Sequence, residues 1–190
     1  MADLDSIVPP SQLQLIKQRT RALGFAMACE DSVGALLRTL AASKRGGRLL
    51  ELGTGTGVGT AWLMDGMDTA SKLTTVDISA EYQQVAREVF IGDGRLEILT
   101  LDAAEFLRKQ SASSFDLVFA DAMPGKFVHL NEALALVKPG GFYVVDDLLP
   151  QENWPSEHAP KVSQLIAKLT ALSQFRWVGP TCGVMILTRI

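Results

Sequence analysis

The chain has 190 residues, 47% hydrophobic and 21% charged, which suits a soluble globular protein able to bury a sizeable core. A net charge of −3 without any basic block argues against a phosphate-backbone partner, so no nucleic acid is expected. No apolar run reaches membrane-span length, and Met1-Ala2-Asp3-Leu4-Asp5 lacks the basic start of a signal peptide. Cys29 and Cys182 stand far apart, as free thiols would, so the expectation is a cytoplasmic protein with no membrane partner.

Residues 1 to 10 are polar, end in Pro9-Pro10 and read as a mobile arm. Ser11 is placed to cap a helix over Gln12 to Leu23, with Leu13, Ile16 and Thr20 on one face, and Gly24 breaks it. A second helix is expected from Glu30-Asp31-Ser32 to Ser43, with Val33, Leu36, Leu37 and Leu40 as its apolar stripe. Lys44-Arg45-Gly46-Gly47 turns the chain into Arg48 to Leu52, a short apolar run containing Glu51 that reads as a buried parallel strand.

Gly53, Gly55, Gly57 and Gly59 then occupy alternate positions ahead of a helix-compatible run. Strand, glycine turn and helix in that order put backbone N–H groups and a helix N-terminus where a ligand can approach without meeting a Cβ. A dinucleotide fingerprint would need its third glycine at position 58 or 60, which are Val58 and Thr60. The acid Glu51 before the turn suits a ligand carrying positive charge better than a pyrophosphate.

Leu73 to Ile78 reads as the second strand, and Asp77 ends it where a nucleoside-binding α/β unit places an acid for ribose hydroxyls. A helix over Glu81 to Phe90 follows, then a third strand over Arg95 to Leu101. Asp102 and Ala103 come next, with a helix over Glu105 to Lys109; Asp102 reads equally well as a plain cap of that helix. Phe115 to Asp121 is the fourth strand, Ala122 to Gly125 a loop, and Lys126 to Val137 a helix with Phe127, Leu130, Leu134 and Val137 inward. On this reading Lys126 is a displaced base or merely the first residue of its helix, and His129, one turn on, either reaches the same mouth or faces solvent from the helix. Lys138-Pro139-Gly140-Gly141 is a turn, and Phe142 to Val145 a fifth strand running into Asp146-Asp147. Residues 148 to 160, with Trp154 and His158, form a loop over the active edge, before a helix over Lys161 to Ser173 and strands over Phe175 to Gly179 and Val184 to Arg189.

The segments LELGTGTG, TVDI, LDAAEFL, FDLVFADA and LVKPGGFYVVDDLL together resemble class I S-adenosylmethionine-dependent methyltransferases. Within that class they are similar to the cation-dependent small-molecule O-methyltransferases acting on catechols and caffeoyl-coenzyme A. The resemblance covers residues 25 to 190 and implies an α/β fold, a doubly wound Rossmann-like sheet of seven strands. That sheet would be mostly parallel with an antiparallel last strand and helices on both faces. One domain is expected over 1–190, with a helical cover over 1–45 and the core over 46–190.

The resemblance further implies S-adenosylmethionine held by Cys29, Glu51, Gly53, Thr54, Gly57, Asp77, Asp102, Ala103 and Asp121. It implies Mg²⁺ or another divalent cation on Asp121, Asp146 and Asp147, with Asp121 and Lys126 as catalytic candidates. This chain has Asp147 where the family has Asn, and Met123 where the family loop has a second acid, with the lysine two places late. Because strand neighbours point to opposite faces, Asp146 and Asp147 can share an ion only if the strand has already ended. The function implied is methyl transfer to a hydroxyl of a small phenolic acceptor, with a homodimer possible. The rivals are a nicotinamide-dependent oxidoreductase and a non-catalytic cofactor-binding or interaction protein.

Overall fold

The computed structural model describes residues 7–150, 157–181 and 183–190. Two helices come first, α1 (Leu13–Ala22) and α2 (Asp31–Ala42), and then strand and helix alternate. The order is β1 (Arg48–Leu52), α3 (Val58–Gly66), β2 (Lys72–Asp77), α4 (Ala80–Val89), β3 (Leu96–Thr100), α5 (Ala103–Lys109) and β4 (Phe115–Ala120). Two short helices follow, α6 (Met123–Lys126) and α7 (Leu130–Ala135), then β5 (Val137–Val145), α8 (His158–Thr170), β6 (Phe175–Thr181) and β7 (Val184–Arg189).

The strands form one seven-stranded sheet in the order β3-β2-β1-β4-β5-β7-β6. β1 to β5 pair in parallel, while β7 runs antiparallel to both β5 and β6, as the expected topology requires. Strand order reverses between β1 and β4, and the crevice at the carboxyl ends of such strands is where doubly wound sheets take ligands. Glu51 and Gly53 lie at one side of that switch point and Asp121 at the other, tied by the Asp121 N–H to Leu52 O bond of 2.8 Å.

Alternation along each strand divides the core in two. Leu50, Leu52, Val118, Ala120, Tyr143 and Val145 pack beneath α5, α7 and α8. Leu49, Leu73, Leu117, Phe119 and Val144 pack beneath α1 to α4, around the fully buried Trp62. Glu51 shares the face of Leu49, so a carboxyl sits in an otherwise apolar layer.

Helix faces follow the sequence closely: Leu13, Ile16 and Thr20 are the buried residues of α1. Five expectations need correction. Residues 158–160 are not loop, since α8 already starts at His158. Ser11 does not cap α1, since Gln12 holds the N-cap without a side-chain bond. Residues 7–10 are not a loose arm, because Arg38 donates to the Val8 carbonyl at 2.7 Å; residues 1–6 lie outside the described residues. The expected helix over Lys126 to Val137 is broken, with Pro124 at ψ 135° and Gly125 at φ 90° inside α6, and His129 in the left-handed region ahead of α7. His129 is therefore no helical side chain, and its Nδ1 lies 3.0 Å from Glu132. Finally, Lys138 to Gly141 belongs to a longer β5 that carries a register shift against β4. Trp154 and Cys182 fall outside the described residues.

Candidate active site

The glycine turn between β1 and α3 is held from below by a chain of hydroxyls. Parallel register sets Glu51 beside Thr75. Glu51 Oε2 accepts the hydroxyls of Thr75 at 2.6 Å and Thr60 at 2.5 Å. Thr75 is linked to Thr54 at 2.7 Å, and Gln83 Nε2 donates to Thr54 at 2.9 Å. The other oxygen, Glu51 Oε1, is buried and has no hydrogen-bond partner among the described residues. Burial, against the pull of the two threonine hydroxyls, pushes the Glu51 carboxyl up to about 7, and the nearby Asp77 charge adds to the rise. Such an oxygen in an apolar layer is costly unless a proton or a cationic ligand comes to it.

The turn itself is shaped by close approach. A Cβ on Gly53, whose φ is 103°, would stand 2.5 Å from the Asp121 carbonyl oxygen, so only glycine lets β1 and β4 come together there. Gly57 is the N-cap of α3 and faces Ala86 of α4. Asp77, half-buried at the end of β2, accepts the Gly55 N–H at 2.8 Å and the Ser79 N–H at 2.9 Å, fixing the loop to the next turn. The Phe25 ring lies over Gly55 and packs against Tyr82, with centroids 4.6 Å apart. Thr20 of α1 shares a 2.7 Å hydroxyl bond with Thr56, so the first helix buttresses the glycine turn.

Asp102 is the N-cap of α5, accepting the Ala104 N–H at 2.6 Å, and Ala103 is buried behind it. Cys29 lies near Gly59 together with Glu51 Oε1 and Phe119. Its thiol is pushed well up by burial first and then by Asp121, Asp146 and Glu51, so it stays protonated.

Across the switch point, Lys126 is buried, its Nζ donating to Asp121 Oδ1 at 3.2 Å, the Asp146 carbonyl at 3.1 Å and Asp147 Oδ2 at 3.2 Å. β5 has ended at Val145, and Asp147 adopts φ 61°, which frees it from strand alternation. The Asp146 carboxylate turns instead to the Asp147 N–H at 2.8 Å. Burial pushes Asp121 well above the usual carboxylate range, with Lys126 opposing and Asp146 and Asp147 assisting; burial also lifts Asp146 to about 6. Burial would lower Lys126, but the charges of Asp121, Asp147 and Asp146 outweigh it and hold the ammonium above its ordinary value. Among the described residues no three His, Cys, Asp or Glu side chains are arranged to hold a metal ion.

The structure therefore gathers Cys29, Glu51, Gly53, Thr54, Gly57, Asp77, Asp121, Lys126, Asp146 and Asp147 around the β1 and β4 ends. Asp102 and Ala103 sit at the start of α5 beyond β3. Sequence reading missed Thr60, Thr75 and Gln83, which a register argument from Glu51 to β2 could have found. It also missed Phe25, Tyr82 and Tyr143, for which periodicity holds no signal beyond an aromatic in a buried or loop position.

Comparison with known proteins agrees with this geometry. Residues 50–148 match the family described as Methyltransferase domain, and the chain belongs to that family. Over 133 residues it is 39% identical to a Mycolicibacterium vanbaalenii protein named "Putative O-methyltransferase", a match covering 67% of this chain and 59% of that protein. The matched part thus spans about three fifths of that relative's length. A Corynebacterium glutamicum protein of solved structure superposes with a TM-score of 0.84 at 18% identity, covering 97% of this chain and 92% of the other. The O-methyltransferase of Bacillus cereus, solved in complex with SAH, superposes with a TM-score of 0.79 at 21% identity, covering 97% and 94%.

Proposed function

We propose that this protein transfers a methyl group from S-adenosylmethionine to a hydroxyl of a small, phenolic acceptor. The observation that carries the reading is the buried Glu51 Oε1, without a hydrogen-bond partner among the described residues, beside the glycine turn at the switch point. That oxygen is suited to the ammonium of the cofactor's amino-acid end, whose charge would also draw the proton off the carboxyl. Gly53, Thr54, Gly57 and Cys29 would hold the same end of the cofactor. Asp77 has lone pairs beyond its two backbone bonds for ribose hydroxyls, and Asp102 with Ala103 would flank the adenine. The curated relative named as an O-methyltransferase and the B. cereus complex with SAH support both the cofactor and the reaction class.

When bound, the cofactor supplies an electrophilic methyl on a sulfonium. The chain's own part is to hold donor and acceptor in line and to exclude water, which is where positioning lowers the barrier most. Asp121, at the switch point and paired as a carboxylate with the Lys126 ammonium, is the group placed to take the acceptor's hydroxyl proton. The divalent ion that the resemblance implies does not fit the residues present, because the Lys126 ammonium stands between Asp121 and Asp147, two of its would-be ligands. No helix among the described residues is long and apolar enough to cross a membrane, and the thiol at Cys29 is in keeping with a cytoplasmic setting.

Calorimetric titration with S-adenosylhomocysteine and with NAD tests the reading. Binding of the first alone, followed by methyl transfer to at least one member of a phenol panel, is the expected result. NAD binding in its place would transfer the assignment to an oxidoreductase. Cofactor binding without turnover on any acceptor would leave a non-catalytic binding protein.

A further inference from the structure

We infer that this chain carries its cation covalently: the Lys126 ammonium takes the place of a divalent metal among Asp121, Asp146 and Asp147. The inference deepens the methyl-transfer reading by removing the ion from it, but the cation itself rests on geometry alone. An ammonium has three donors, and all three of Lys126 are used within this cluster, on Asp121 Oδ1, the Asp146 carbonyl and Asp147 Oδ2. With 5% of its surface exposed, Lys126 lies inside the acid group rather than at its rim.

The backbone is built to deliver it there. A Cβ on Gly125 would stand 2.8 Å from the Leu52 methyl and would force a positive φ of 90° on a side-chain-bearing residue. The Tyr143 hydroxyl, buried in β5, donates to the Gly125 carbonyl, and the Gly125 N–H bonds Val128 O at 2.8 Å. Proline, glycine and tyrosine together break what would be a helix and turn the next side chain inward. The two-residue delay of the lysine is thus the route by which it reaches the centre of the cluster. Met123, standing where the family loop offers a second acid, presents an exposed thioether, a poor ligand for a hard cation.

A fixed ammonium differs from a metal in what it selects. It cannot chelate two neighbouring acceptor oxygens, so the acceptor need carry only one reacting hydroxyl and no vicinal partner.

Mn²⁺, followed by its paramagnetic resonance signal and by calorimetry, is the probe. Wild-type protein is expected to show no saturable Mn²⁺ binding up to about 1 mM. Lys126→Met, which removes the ammonium from among the acids, is expected to gain binding at least ~10-fold tighter than that limit, and Asp121→Asn added to it should abolish the gain. Saturable binding to the wild type that Asp121→Asn weakens would overturn the inference. So would a folded Lys126→Met protein that takes up no Mn²⁺. If Lys126→Met does not fold, the wild-type titration decides alone. S-adenosylhomocysteine titrated into the same samples keeps the two readings apart: its failure to bind would remove the methyltransferase assignment and leave the Mn²⁺ result standing.

Discussion

Replacing Glu51 by glutamine should remove one titration from the pH dependence of stability. Burial raises Glu51 from its ordinary 4.5 to about 7 in the folded chain. Between those values the folded state holds a proton that the unfolded chain has released, so stability falls as pH rises through the window. The loss is complete above pH 7 and amounts to about 3 kcal/mol, at ~1.4 kcal/mol for each pH unit separating the two values. Glutamine resembles the protonated acid in shape and does not titrate. The variant should therefore match the wild type near pH 4.5 and gain on it as the solution is made more alkaline, by up to about 3 kcal/mol near pH 8.

Urea unfolding at a series of pH values measures this. Asp146, lifted to about 6 by burial, titrates with the same sign in an overlapping window. The quantity to read is accordingly the difference between variant and wild type, in which Asp146 cancels. Parallel profiles across the whole range would refute the placement of Glu51 as a buried acid with an unsatisfied oxygen. The same pair of proteins reports on the ligand. Near pH 6.5, binding of S-adenosylhomocysteine should release protons from the wild type and none from Glu51→Gln, seen as a dependence of binding heat on buffer ionisation enthalpy.

Asp77→Ala removes the acceptor that holds the Gly55 and Ser79 N–H groups as well as the proposed ribose contact. Its affinity for S-adenosylhomocysteine is expected to drop at least about tenfold, or ~1.4 kcal/mol, with faster amide exchange at Gly55. Unchanged calorimetric affinity would detach Asp77 from the cofactor. Tyr143→Phe leaves the buried Gly125 carbonyl without its hydroxyl donor and should cost about 1–3 kcal/mol in urea unfolding. A loss below about 0.5 kcal/mol would mean that the loop carrying Lys126 is not anchored there.

The sheet was legible because its signals are local and repeated. Each parallel strand is an apolar run closed by an acid or a glycine, and β1 to β4 appear within a residue or two of their expected bounds. The glycine turn, Asp77 and Asp121 were legible for the same reason, since a doubly wound sheet delivers its strand ends to one edge. What local pattern could not show was the direction of a side chain set by tertiary geometry. Phe127, Leu130 and Leu134 keep helical spacing, yet the chain breaks at Pro124-Gly125 and again at His129, because Lys126 must turn inward and Gly125 must pass beneath Leu52. Asp147 shows the complementary limit, set by a positive φ just past the strand that its neighbours' polarity does not write, whereas the cap bond of Asp102 is one of the two readings its position offered.

Glu51, Asp121 and Asp146 all lie buried or nearly so at one edge of the sheet, and an uncompensated carboxylate there would be expensive. The two sides of the switch point meet that cost differently. Beyond β4 and β5 the acids are neutralised from within, by a lysine with every donor used and by the Asp147 N–H. Under the glycine turn the described residues supply two hydroxyls to one oxygen of Glu51 and no hydrogen bond to the other. On the proposed function the open oxygen would draw a cationic ligand end to the glycine side, while the ammonium of Lys126 already stands on the other. The ligand that satisfies both halves carries positive charge at one end and leaves the Asp121 side to a neutral acceptor. On the proposed function a sulfonium nucleoside meets that description on the glycine side, and a pyrophosphate-linked dinucleotide does not.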